Sequence, residues 1–118
     1  IHNSAMFVED GGLLLVYCEC RDSVGSTTFL RWFEKGSFET AFTLLAISYE
    51  GNGGTALTIM TKLQRIRIGL VTSQSDDILT TIGAKRWSHS QVSEHITTLD
   101  SSESIACIAN GSLLVKKQ

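Results

Sequence analysis

At 118 residues the chain is sized for one domain, and at this length about two-thirds of the unfolded surface can be buried, enough for a core without disulfides or a structural metal. Ten basic against twelve acidic side chains leave a net charge of -2, which excludes the global basic field of a non-specific nucleic-acid binder. The apolar runs, such as Leu13 to Tyr17, fall far short of the ~20 residues that span a bilayer, and no charged-then-apolar leader precedes them, so a soluble domain is expected.

In chain order, Ala5 to Val8 is a short apolar run, Glu9-Asp10-Gly11-Gly12 a turn signal, and Leu13 to Cys20 a strand, so the N-terminus reads as a hairpin. Polar turn material from Arg21 to Ser26 leads into Thr27 to Glu34, rich in β-branched and aromatic residues and predicted as a further strand with Phe29, Arg31 and Phe33 on one face. Ser37 to Glu50 carries both signals. Phe38, Ala41, Phe42 and Leu45 would share a helical face, whereas Thr40, Thr43, Ile47 and Tyr49 favour strand, and the balance falls on a broken strand. Gly51-Asn52-Gly53-Gly54 forces a turn. Thr55 to Lys62 and Gln64 to Ser73 follow as strands, the second with Ile66, Ile68 and Leu70 on one face and Arg65 and Arg67 on the other.

Helix signals come late. Asp76 to Ile82 is a short helix capped by Ser75, with two acids in its first turn and Gly83 placed to end it. The spacing predicts a second helix over about 89–99: Ser88 as N-cap, Gln91 completing a capping box, Trp87 stapling onto Val92, and an inward stripe of Val92, Ile96 and Leu99. Ile105 to Ala109 and Ser112 to Lys117 flank Asn110-Gly111, a hairpin signal. The predicted fold is therefore a single β-rich α+β domain over 1–118, an antiparallel sheet or small sandwich with those two short helices. Because the chain starts at Ile1 rather than methionine, it is expected to be processed or part of a longer chain.

Chemistry-bearing residues are scattered. Cys18 and Cys20 share a strand face and, with Cys107 and either His89 or His95, would supply zinc ligands, but a single pair with one intervening residue departs from structural-zinc spacing. Three cysteines, an odd number, fit a reducing compartment better than a secreted disulfide scaffold, with Cys20–Cys107 the bridge to expect if the chain is secreted. His89 and His95 lie six apart, about 240° around a helix, and do not face one another. The chain has no Gly-x-Ser-x-Gly elbow, and Gly51 to Thr55 lacks the lysine and strand-to-helix setting of a phosphate loop. Asp76 and Asp77 would ligate a cation but equally suit a helix start, and Asn110-Gly111-Ser112 matches a glycosylation acceptor that the turn already explains.

Low charge, 19% of residues against roughly 25% in an average domain, with fourteen serines and twelve threonines, makes a surface that is cheap to cover. Mean hydropathy is +0.10. With no catalytic constellation and no cofactor motif, the expectation is a non-enzymatic binding or assembly module without cofactor or metal. It would self-associate or dock to a protein through a weakly charged β-sheet surface, with Trp32, Phe38 or Phe42 as candidate anchors. The alternative is a small binder of nucleic acid or anionic lipid, viral coat-like or matrix-like, using Arg31, Lys62, Arg65 and Arg67 as a basic strip. A third possibility is a small hydrolase or transferase built on a cysteine with His89 or His95.

Overall fold

A computed structural model describes residues 1–113, without the Ser112 side chain. The described residues form three strands, β1 (Leu13–Tyr17), β2 (Arg67–Val71) and β3 (Lys85–Arg86). Five helices accompany them: α1 (Leu30–Phe33), α2 (Phe38–Ile47), α3 (Gly53–Leu63), α4 (Asp76–Thr81) and α5 (His89–Thr98). The sheet order is β1-β2-β3, and both pairings are parallel, with Leu14 opposite Ile68, Leu15 opposite Gly69 and Gly69 opposite Lys85. This α/β arrangement corrects the expected antiparallel, β-rich fold. Parallel neighbours need a crossover rather than a hairpin, and α1 to α3 supply the first crossover and α4 the second.

Three predicted strands are helices, for one physical reason. In Ser37–Ile47 the Ser37 side chain caps the Thr40 amide, Ala41 and Leu45 are buried one turn apart, and Thr40, Thr43 and Ile47 fall on the exposed side. A buried i, i+4 pair outweighs β-propensity, which differs among residues by only about 1 kcal/mol. The threonine hydroxyls are satisfied within the helices themselves: Thr43 donates to the Glu39 carbonyl at 2.8 Å, Thr58 to Gly54 and Thr61 to Leu57 at 2.9 Å. Likewise 27–34 contains α1, and 55–62 lies inside α3.

The N-terminal hairpin is also absent. Residues Ser4–Phe7 form a 3-10 turn, and Arg65 holds the segment in place, its guanidinium donating to the carbonyls of Ala5 and Val8 and pairing with Asp10 at 2.9 Å. Residues 105–109 are not in a strand, and Gly111–Leu113 is a 3-10 turn. The second arm of the expected closing hairpin, from 114 onward, lies outside the described residues.

The two late helices occur where predicted. Ser75 accepts from the Ile78 amide to cap α4. Gly83, at φ +75°, ends it with two bonds, Gly83 N–H to Thr80 and Ala84 N–H to Leu79, the paired closure of a glycine-terminated helix. Ser88 and Gln91 form the capping box of α5. Its inward stripe is shorter than expected: Val92 is buried and Ile96 is 44% exposed.

Ile66, Ile68 and Leu70 of the β2 segment pack with Leu79, Ile82 and Ala84, with Leu14 and Val16 of β1 joining from the same sheet face. Beneath α1, α2 and α3 lies a second cluster of Trp32, Ala41, Leu45 and Ala56, and the Phe29–Phe33 edge-to-face pair, 5.1 Å between centroids, belongs to both. Phe29 and Phe33 therefore pack against both core clusters rather than sharing a strand face with Arg31. On the opposite sheet face Leu15 and the Trp87 indole close over Gly69. Among the described residues no helix is long and apolar enough to cross a membrane.

Candidate functional site at the carboxyl edge of the sheet

In open parallel α/β sheets, ligands are held beyond the carboxyl ends of the strands, where the following loops and helix starts converge. Here that edge is formed by residues 17–20 at the end of β1, 72–75 after β2, and 87–89 after β3. Each loop is fastened to the next. Cys18 extends the β1–β2 ladder, its amide donating to Val71 at 3.1 Å. Ser73 donates to the Glu19 carbonyl at 3.0 Å, and the Gln74 side-chain amide to the Cys20 carbonyl. From β3, Arg86 donates to the carbonyls of Thr72 and Gln74 and pairs with the Asp76 carboxylate at 2.7 Å. A planar guanidinium with several donors is suited to tying three acceptors at once. Asp76 is thus the counter-charge of Arg86.

Four kinds of reactive side chain line this edge. The Tyr17 ring lies 4.9 Å from the His89 imidazole, and Trp87 meets His95 edge-on at 5.3 Å. His89 and His95 accordingly serve different neighbours, as their spacing implied. Cys18 is half-buried and Cys20 exposed, and both are free thiols, as is Cys107. Burial, then the hydrogen bond and charge of Cys20, push the Cys18 thiol above its ordinary range, opposed by a hydrogen bond from Thr72. Among the described residues no group of three or more His, Cys, Asp or Glu side chains converges as a metal site.

A shallow groove of about 280 Å³ lies elsewhere, among the ends of α3 and α4 and the start of α2, lined by Phe33, Phe38, Met60, Leu63, Ile82 and small or neutral polar residues. It has no titratable side chain in its wall, so its chemistry is limited to apolar contact. The sheet edge, with thiols, imidazoles, a phenol and hydroxyls, is the better candidate site.

The residues singled out from sequence are dispersed. Trp32 is 3% exposed inside the helical cluster, because α1 turns it inward. Phe38 lines the groove and stacks on Phe42 at 6.0 Å, and Phe42 is 54% exposed. Arg31 pairs with Glu50 and lies 5.0 Å from the Trp32 ring centroid. Lys62 stands in the last turn of α3, Arg65 clamps the N-terminal segment, and Arg67 is exposed at the start of β2. The expected basic strip required Arg31 and Arg65 to lie on strands, and neither does. Replacing Arg65 by alanine removes three charge-assisted bonds, each of a kind worth about 1.5–3 kcal/mol. Arg65→Ala is expected to unfold at lower urea and to expose Val8 and Ala5 amides to faster hydrogen exchange; an unchanged exchange pattern would refute the clamp.

The side chains of the candidate site that the sequence reading passed over are Tyr17, Thr72, Ser73, Gln74 and Arg86. The signal for Thr72, Ser73 and Gln74 was the run Val71-Thr72-Ser73-Gln74-Ser75, an apolar strand passing at once into a capped helix, which marks a β–α turn rather than the end of a hairpin arm.

No protein-family model matches the chain, and no curated protein does. Among solved structures it is similar to the lactate racemase apoprotein from Thermoanaerobacterium thermosaccharolyticum. The TM-score is 0.79 at 17% identity, over 98% of this chain and 30% of that one. At that identity the likeness shows the fold alone, and the chain spans less than a third of that protein's length. This fold and its parallel sheet overturn the reading of an assembly module that docks through an antiparallel sheet surface. The alternative of an RNA-binding or viral coat-like domain goes with it, since both readings rested on an antiparallel sheet surface that does not form.

Proposed function

We propose that this chain is an α/β domain of an enzyme acting on a small molecule, and that the carboxyl edge of its sheet forms one wall of the ligand cleft. The observation that carries the reading is the convergence of Tyr17, Cys18, Thr72 and His89 on that edge in a fold matched over nearly the whole chain by part of a racemase. The residues available there suit acid–base work and hydrogen bonding to a polar ligand. Arg86 is engaged with Asp76 and two backbone carbonyls, so its role is to hold the loops.

Such a wall is one side of a site, and the remaining catalytic groups would come from other parts of a larger protein. On this reading the 118-residue chain has no turnover of its own, and the partner expected at Phe42 is a further part of the same enzyme.

D-lactate and L-lactate are the probes to use. Titration of the isotopically labelled chain, followed by amide chemical shifts, should give saturable changes in 17–20, 72–75 and 87–89. Loss of those changes in His89→Ala, with the rest of the spectrum intact, would assign the imidazole to the wall. No saturable shift at the edge, or shifts confined to Leu63 and Ile82 of the apolar groove, overturns the reading.

A further inference from the structure

One pair of groups at this edge has chemistry that a ligand wall does not require. Cys18 and Cys20 are separated by a single residue, and two residues of extended chain span at most about 7 Å, close to the upper limit of the Cα separation in disulfides. The fold then bends the segment. Cys20 sits at φ 50°, in the left-handed region that residues with a side chain seldom enter, and the Ser23 amide closes a turn on its carbonyl at 2.9 Å. Ser73 and Gln74 hold the carbonyls of Glu19 and Cys20 from the β2 side, so the bend belongs to the folded state. Cys18 and Cys20 are thus near neighbours on a fixed bend at the end of β1, the first half-buried and the second exposed. Cys107 is on an irregular segment and exposed.

We propose that Cys18 and Cys20 are a reversible dithiol–disulfide pair, oxidised by exchange with a low-molecular-weight disulfide of the glutathione class. The inference does not depend on the enzyme reading. Cys20, the exposed thiol, loses its proton and attacks one sulfur of the oxidised glutathione, breaking its S–S bond and releasing one glutathione thiolate. Cys18 then loses its proton and attacks the Cys20 sulfur of the mixed disulfide, expelling the second glutathione thiolate. Two protein thiols and one disulfide thereby become one protein disulfide and two glutathione thiols, with two electrons passing to glutathione. Burial, the first cause that raises the Cys18 thiol, persists, but capping Cys20 in the first step removes the neighbouring charge that adds to it, which favours the second.

The test is incubation of the full chain, and of Cys107→Ser, with excess oxidised glutathione, followed by acid quenching, alkylation, intact mass and peptide mapping. Both proteins are expected to carry the bridge within the 18–20 peptide, two hydrogens lighter; Cys107→Ser retains no glutathione, whereas wild type carries one glutathione, on the exposed Cys107. In the Cys107→Ser background, Cys18→Ser is expected to stop at one glutathione on Cys20, released by reductant. Cys20→Ser in the same background, which leaves only the half-buried thiol, is expected to react with glutathione at least about tenfold more slowly than Cys107→Ser alone, as access governs thiol reactivity. A Cys107→Ser protein that accumulates mixed disulfides without a bridge, or a wild-type bridge from Cys20 to Cys107, overturns the proposal.

Discussion

Leu79→Ala is expected to cost about 2–5 kcal/mol of stability, the range for truncating a leucine in a closed core. Leu79 is 2% exposed and is the largest fully buried side chain among the described residues. It stands on α4 against the buried cluster that includes Ile66, Ile68, Leu70 and Ile82, so its removal opens a cavity between helix and sheet. Against a typical domain stability of about 5–15 kcal/mol, that is a large fraction. The measurement is the urea midpoint at unchanged slope. Ile47→Ala, removing a side chain 79% exposed on α2, is the comparison and should stay within about 0.5 kcal/mol. Equal shifts for the two variants would mean that the sheet–α4 cluster is not the core.

Gly69→Val, in the middle of the central strand beneath Trp87, is expected to be strongly damaging. A Cβ at this position would lie 2.6 Å from Leu15 Cδ2 and 2.6 and 2.7 Å from the Trp87 indole, well inside contact distance. Overpacking of this kind costs about 1–3 kcal/mol or more. The neighbours cannot yield independently, because Leu15 is fixed opposite Gly69 in the ladder and the Trp87 amide is bonded to the Leu70 carbonyl at 2.9 Å. Relief therefore moves Trp87 and with it the turn into α5 that carries His89. The expected result is a lower urea midpoint together with altered tryptophan fluorescence in the native state. Gly51→Ala, where nothing lies within 4 Å of the added carbon, should leave both nearly unchanged. A Gly69→Val protein with native fluorescence and stability would show that Trp87 does not cover the strand.

Local chemistry was readable wherever a few adjacent residues decide the outcome. Ser75, Gly83 and the Ser88–Gln91 box mark helix ends through bonds made within one turn, and the apolar run at Leu13 marks β1. The turn at Gly51-Asn52-Gly53 forms as well, with Asn52 at φ 62° and its side chain bonded to Ser26 and Thr28. The errors came from threonine. In Thr27 to Glu34, Ser37 to Glu50 and Thr55 to Lys62, β-branched residues suggested strand. What decides those segments is which side chains find a buried partner: Trp32, Ala41, Leu45 and Ala56 pack on one another across three helices, and no single segment displays that contact.

The candidate site was less legible for the same reason. Cys18, Cys20, His89 and His95 stood out as chemistry-bearing residues, but the edge that gathers Tyr17, Thr72 and His89 exists only because β1, β2 and β3 run in the same direction. With the antiparallel order expected, the ends of neighbouring strands would have alternated between opposite edges. Arg65 shows the converse case. Its charge and spacing suggested an anion contact, and its actual partners are the carbonyls of Ala5 and Val8 and the carboxylate of Asp10, remote in sequence.

By itself, then, the sequence determined a small net negative charge, the position of β1, and the starts of α4 and α5. These depend on composition and on bonds between near neighbours, which a linear string displays. Tertiary structure alone decided the strand direction, the helical state of the threonine-rich segments, the burial of Trp32 and the convergence of thiols, phenol and imidazole at one edge. Each of those is settled by packing between residues far apart in the chain, where the gain from burying apolar surface exceeds the small local preference for strand.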